Sequence, residues 1–285
     1  MKQESLFNIN YPIAKNHQII QILPQFKPIK RGARKKGVER KYISRDGKSS
    51  AIIRMFKELD IADQDLLLTI LAIALPISRG DVINKNSQNY SHLWKNLNIK
   101  PKEMIENLAT IMITTTPYEL LKELNKSKGQ ANYNWLFESL VRLANTTIEF
   151  KTPEFRGSTN LISYYFDENT EKLNIAINPV NAIVLMNDKK GYIFNNRIER
   201  LQLKNDTAKA LHSVLLTLID NNQTKSFNYE ILIEKVYLEN FETMNINERK
   251  NSKRTIKKAL EKINELANWE IRMDKKFVSI KRKNN

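Results

Sequence analysis

The chain has 285 residues, enough for one large core or two ordinary ones, and its 47 Lys and Arg against 31 Asp and Glu leave a formal net charge of +16. A cationic excess of this size points to a polyanionic partner, because each phosphate neutralised by a side chain releases counterions. The absence of Cys excludes disulfides, thiolate nucleophiles and cysteine-ligated zinc, and a reducing cytoplasm is the simplest home for the chain.

The first ten residues lack an apolar signal core. Residues 26–48 carry Lys27, Lys30, Arg31, Arg34, Lys35, Lys36, Arg40, Lys41, Arg45 and Lys48 against Glu39 and Asp46, with Gly32, Gly37 and Gly47 between them. They read as a flexible basic arm. From Ile61 the pattern turns helical, with Asp63 as cap and Leu66, Leu67, Ile70, Leu71, Ala74 and Leu75 at helical spacing until Pro76. The apolar run of residues 66–77 is too short to span a bilayer, so no membrane is implied. A polar stretch of residues 78–102 follows, in which Trp94 and Leu97 anchor a short helix.

Thr116-Pro117 opens another helix, which breaks at residues 125–129. Beyond that turn Tyr133, Leu136, Phe137, Leu140 and Ala144 form one apolar stripe. Residues 146–151, 161–166 and 173–177, rich in β-branched and aromatic side chains, read as a short antiparallel sheet with a long loop at 153–160. Asn178-Pro179 caps a short helix reaching Met186, and extended chain leads on to Leu203. The element order then restarts. A helix from Asp206 shows Leu211, Val214, Leu215 and Leu218 on one face, a short helix occupies about residues 227–237, a longer one 247–268, and strands 269–273 and 277–281 flank Asp274-Lys275-Lys276.

Helices followed by a β-hairpin are the plan of a winged helix, whose third helix enters the major groove while the hairpin touches the flanking backbone. The expected fold is α+β, with two winged-helix domains in tandem behind a basic N-terminal arm. Its parts are the arm at 1–58, an N-terminal domain at 59–180, a linker at 181–205 and a C-terminal DNA-binding domain at 206–285.

In the last long helix Ile256, Ala259, Leu260, Ile263 and Ala267 make a buried stripe, while Arg249, Lys250, Asn251, Lys253, Arg254, Lys257, Lys258 and Lys262 fall on other faces, interrupted by Glu261. Cations this dense repel one another unless phosphates are their neighbours. Asn251 and Arg254 are placed to read bases, since Asn pairs bidentately with adenine and Arg with guanine; the lysines grip phosphate. The N-terminal module offers Lys126, Lys128, Gln130, Asn132 and Asn134 at the start of its third helix, with Arg142 further along. Those amides fit base edges and turn or cap roles equally. Lys151 and Arg156, and Lys275 and Lys276, suit wing contacts to the backbone, and Lys30, Arg31 and Arg34 contacts from the arm.

Lys30-Arg31-Gly32-Ala33-Arg34-Lys35, Leu161-Ile162-Ser163-Tyr164-Tyr165 with residues 173–179, Asp206-Thr207-Ala208-Lys209-Ala210-Leu211-His212 and the basic helix ending at Trp269, in that order and spacing, resemble the replication protein C family of IncQ-type plasmids. The resemblance covers nearly the whole chain and contains no catalytic signature. It implies an initiator in the bacterial cytoplasm that binds direct repeats, the iterons, at a plasmid origin. It further implies melting of an adjacent AT-rich segment, loading of a replicative helicase with other replication proteins, and control of copy number. The chain departs from the family in its Lys, Asn and Ile richness and in the polar segment 78–102.

An enzyme is not expected, nor a cofactor or metal. His17, His92 and His212 lie too far apart for a metal pair or a nicking cluster, and His212 sits near an apolar helix face as a packed core residue. Gly32 to Gly37 has phosphate-loop spacing, but Val38 and Glu39 replace the required Lys and Ser or Thr. A winged-helix transcriptional regulator would use the same physics. Several direct repeats beside an AT-rich tract favour initiation, and a lone palindrome over a promoter favours regulation. A purely structural module would explain the apolar stripes but not the cation-covered helix.

Overall fold

The computed structural model describes residues 9–30, 32–44, 46–75, 81–83, 110–151, 153, 156–186 and 192–283. Arg31 and the short helix expected around Trp94 lie outside them. The chain enters through β1 (Ile13–His17) and α1 (Gln18–Ile22), then forms a hairpin of β2 (Lys36–Ile43) and β3 (Ser50–Lys57). Next come α2 (Ile61–Ile73), β4 (Asp81–Ile83), β5 (Thr110–Thr115), α3 (Pro117–Glu123) and α4 (Gln130–Ala144). Strands β6 (Thr146–Lys151), β7 (Arg156–Asn160), β8 (Ile162–Asp167) and β9 (Lys172–Ile177) complete the first module. The connecting elements are α5 (Pro179–Met186), β10 (Tyr192–Asn196) and α6 (Arg197–Gln202). The second module holds α7 (Asp206–Leu218), β11 (Thr224–Asn228), α8 (Tyr229–Tyr237), a 3-10 turn (Phe241–Thr243), α9 (Ile246–Asn264), β12 (Trp269–Met273) and β13 (Phe277–Arg282).

The two modules share one topology. After the first helix a strand, β5 or β11, pairs with the last strand of the wing, β9 or β13, which in turn pairs with β8 or β12. The second and third helices, α3 and α4 or α8 with α9, lie in sequence between them. This is the winged-helix order in tandem within an α+β chain. One core gathers α2, α3, α4 and the strands around them; the other gathers α7, α8, α9 and the second wing, and Ile61 at the start of α2 belongs to it. Helix α2 is buried almost all round, the pattern of a central helix rather than a surface one. Among the described residues no helix is long and apolar enough to cross a membrane.

Asparagine sets the boundaries. Asn196, Asn205, Asn228, Asn240 and Asn245 each cap the N-terminus of the following helix or 3-10 turn, their side chains accepting from its first free N–H groups. Helix α2 begins one turn earlier than its expected cap: Asp60 is the N-cap, and Asp63 answers it from the third position in a reciprocal capping box.

Four expectations are corrected. Residues 36–57 are not a flexible arm: β2 and β3 join β6 and β7 in a four-stranded sheet, with Arg40 opposite Ile53 and Ile53 opposite Ile148. Ala51, Ile53 and Met55 alternate inward along β3, and Ile52 and Phe56 on the outer positions, with Arg54 between them, mask that period-two signal. The three strands expected to form a single sheet divide: β6 joins that hairpin, β8 and β9 join β5, and residues 156–160 are strand rather than loop. The described part of the linker at 181–205 is built structure, with β10 paired to β1 and α6 capped by Asn196. Helix α9 ends at Asn264, so Ala267 is exposed and Leu266 fills the core instead.

Candidate nucleic-acid interface

In α9, Ile256, Ala259, Leu260 and Ile263 are buried, which anchors the helix on one stripe. Residues four apart lie along one ridge of a helix, and here Ile246, Lys250, Arg254 and Lys258 form an exposed ridge away from the core. Asn247 and Asn251 are exposed beside it, and the Arg254 guanidinium lies 3.4 Å from Asn251 Oδ1. Lys250, Arg254 and Lys258 therefore face solvent on one side of the helix.

The other predicted cations of α9 are differently placed. Lys253 and Lys257 hold their ammonium groups 5.3 and 5.1 Å from the ring of Tyr229, whose hydroxyl donates to the carbonyl of Asp274 in the wing turn at 3.0 Å. They line the side of α9 next to the wing, and burial pushes the Tyr229 hydroxyl above its ordinary pKa, so it stays a donor. Arg249 is turned back on the segment that enters α9. It donates from Nε to Met244 O at 2.8 Å and from Nη2 to Glu242 O, and its guanidinium lies over the Phe241 ring. Its guanidinium is thus engaged with the turn that enters α9. Lys275 and Lys276 stand exposed at the tip of the β12–β13 hairpin, closed by the Asp274 N–H donating to Phe277 O at 2.9 Å.

Helix α4 presents a less charged face. Gln130 and Asn134 are exposed and joined to each other at 2.9 Å. Asn132 folds back, donating to both Ser127 O and Ser127 Oγ at 2.9 Å, so of the two roles open to it the turn role is the one it fills. Lys126 and Lys128 each hold an ammonium 4.3 Å from an aromatic centre, Trp135 and Tyr118. Arg142 is not on the surface: it is buried against Asp63, with Nη2 to Oδ1 at 2.8 Å. Lys151 and Arg156 pair across β6–β7, which is a separate hairpin from the β8–β9 wing.

The N-terminal cations divide as well. Lys30 is exposed. Arg34 is clasped by Asp60 and by Asp63 at 2.8 Å and donates to the carbonyl of Glu58, so its guanidinium is engaged within the fold. Lys27 and Arg40 converge on Glu58 at 3.2 and 2.8 Å. Each of these guanidiniums and ammoniums neutralises a buried carboxylate rather than a phosphate.

Sequence spacing gave no sign of the ion pairs that hold the helices in place. Asp63 joins α2 to α4, and Asp65 joins α2 to Arg200 of α6 and Lys209 of α7, at 2.5 and 2.6 Å. Burial raises the Asp65 carboxyl, but the two cations outweigh that and hold it below its ordinary pKa. His212 is a core residue: its ring lies edge-on to Trp269 and its Nε2 is 3.1 Å from Glu199, while burial lowers its pKa. Among the described residues no group of three or more His, Cys, Asp or Glu is placed to hold a metal.

The model of the replication protein C (RepC) family matches residues 13–282. No curated protein matches the chain. Among solved structures, domains 2 and 3 of RctB align at 12% identity over 91% of this chain and 95% of that one, with a TM-score of 0.53. A second structure of those RctB domains aligns at 12% identity over 94% and 97%, with a TM-score of 0.53. The Pi initiator protein, solved in complex with iteron DNA, aligns at 9% identity over 95% and 96%, with a TM-score of 0.54. At these identities the likeness is one of fold, and it runs through both modules.

Proposed function

The chain belongs to the replication protein C family, and from that premise we propose that it initiates plasmid replication by binding directly repeated duplex sites at the origin. The observation that carries this reading is the exposed ridge of Lys250, Arg254 and Lys258 on the third helix of the second winged helix, flanked by Asn251 and by Lys275 and Lys276 in the wing. Such a helix lies in the major groove, where Arg254 addresses guanine and Asn251 adenine, and the lysines neutralise the adjacent phosphates. The first winged helix adds Gln130 and Asn134 as base readers and Lys126 and Lys128 as phosphate contacts. Two modules on one chain span about two turns of major groove, roughly 20 base pairs, so one protein occupies each repeat. The fold-level neighbour solved with iteron DNA supports the same use of this architecture.

Melting of an AT-rich segment, loading of a replicative helicase and limitation of origin firing by initiator supply complete the proposal as family roles in the bacterial cytoplasm. The reading assigns no bond-breaking chemistry to the chain.

The test is a titration of the full chain against duplexes carrying one or several copies of the repeat from its own replicon, with scrambled competitor, at two salt concentrations. Saturable binding of one protein per repeat is expected, and each lysine–phosphate contact removed by substitution should lower the salt slope by about 0.9. Lys250→Glu with Arg254→Glu should abolish specific binding while the chain stays folded. Sequence-indifferent binding, or full affinity in that variant, would refute the placement of the reading helix.

A further inference from the structure

We infer that Ile246 is a specificity residue that packs against the 5-methyl group of a thymine in the repeat. The side chain is 83% exposed, and among the described residues no large apolar side chain is more so. An isoleucine exposed at that level adds little to the core, and its neighbours show that it is not used to fix the start of the helix either. The start of α9 is fixed by the capping box between Asn245 and Glu248, both bonds at 2.9 Å. The apolar anchor ahead of the cap is Met244, which is buried, and the residue facing it from the first turn is Arg249, bonded to the Met244 carbonyl. Ile246 takes part in neither device.

Its position on the helix gives it a different use. Ile246 is the first member of the ridge that continues through Lys250, Arg254 and Lys258, so the surface that presents three cations to solvent begins with one apolar branched side chain. In winged helices and related motifs the N-terminal residues of this helix reach the base edges. Along those edges in the major groove the thymine methyl is the apolar feature, while the rest of each edge is hydrogen-bond donors and acceptors. A branched aliphatic group set among Lys250, Asn247 and Asn251 therefore matches one base by its methyl where its neighbours match others by hydrogen bonds. The inference rests on the reading that α9 enters the groove.

The experiment separates the two. Binding of the full chain is measured on repeat duplexes in which each thymine in turn is replaced by deoxyuridine, which removes only the methyl group. The wild-type chain should lose about fourfold in affinity at one position, the worth of one buried methyl. I246A should lose a similar factor on the unmodified duplex, become indifferent to that uracil, and unfold at the same temperature as wild type. If R254A also loses binding but no uracil position distinguishes wild type from I246A, the groove reading stands and the thymine contact is refuted. If I246A weakens binding equally on thymine and uracil duplexes, the side chain acts elsewhere and the inference is overturned. If R254A binds with full affinity, the groove reading itself has failed.

Discussion

Replacing Asp63 with asparagine tests how the first reading helix is held. The Asp63 side chain is fully buried and accepts from Ser139 Oγ at 2.6 Å, Arg142 Nη2 at 2.8 Å, Arg34 Nη1 at 2.8 Å and the Asp60 backbone N–H at 3.0 Å. Burial alone would raise this carboxyl, but the bonds and charge of Arg142, with Ser139 and Arg34, hold it below its ordinary pKa. The asparagine side chain would keep the volume while losing the charge, and its amide nitrogen would face other donors. The Arg142 guanidinium, only 5% exposed, would then be left with Glu138 at 3.5 Å, a carboxylate 71% exposed and well screened. Breaking a buried pair from one side costs about 3–5 kcal/mol. The partial help from Glu138 points to the lower end, about 3 kcal/mol, or roughly 6–12 °C in Tm for a chain of this size. Urea denaturation should show that loss with an unchanged slope. Adding Arg142→Met should recover much of it, because removing both charges is far less costly than stranding one. A D63N cost below about 1 kcal/mol, or strict additivity in the double variant, would refute the reasoning.

Asp65→Ala should loosen the seam between the modules by about 3 kcal/mol, since Arg200 and Lys209 lose the carboxylate they share; calorimetry should show a single unfolding transition dividing into two, and an unchanged single peak would contradict this. His212 gives a pH dependence: burial lowers its folded pKa below the unfolded value of about 6.5, against the opposing pull of Glu199 and with Arg200 and Arg282 nearby. The stability it contributes is therefore present above about pH 6.5 and is lost as pH falls from there towards the folded value. H212Q should flatten the stability profile between about pH 7.5 and 5.5, while His17, lowered by burial as well, leaves a residual slope.

Helices were the legible part of this fold. The stripes of α4, α7 and α9 are periodic because each packs one face on a core, and the second wing announces itself through Trp269, Ile271, Val278 and Ile280 alternating inward. Strand β11 was not legible: most of Thr224–Asn228 is exposed and polar, and it is strand because β13 offers it an edge. The β2–β3 hairpin was hidden by the charges of β2 and by Ile52 and Phe56 on the outer positions of β3. At the candidate site, cation density was readable but cation role was not. Arg34, Arg142 and Arg249 look like Lys250 and Arg254 in the sequence, and they differ only in the partners that folding brings to them. For Asp63 and Arg142 those partners stand 79 residues apart, and for Asp65 and Lys209 they stand 144 apart, beyond any local pattern.

The placement of those partners bears on how a repeat is recognised. Asp63 and Asp65 are two positions apart on α2, so they leave the helix in nearly opposite directions. One fastens α4, the proposed reading helix of the first module; the other fastens α6 and α7, on which α9 packs through the second core. A single buried helix thus ties the seat of one reading surface to the seat of the other. The two surfaces differ in kind, with amides and Glu138 exposed on α4 and a cationic ridge on α9. A strongly charged helix binds any duplex by counterion release, and a weakly charged one adds little unless its amides meet the right bases. With the spacing fixed through α2, the second condition must be met at a set distance from the first. Removing the amides of α4 is then expected to cost discrimination with little change in affinity for other duplex DNA, whereas removing Lys250 or Lys258 lowers affinity for every duplex and leaves Arg254 and Asn251 of α9 to discriminate.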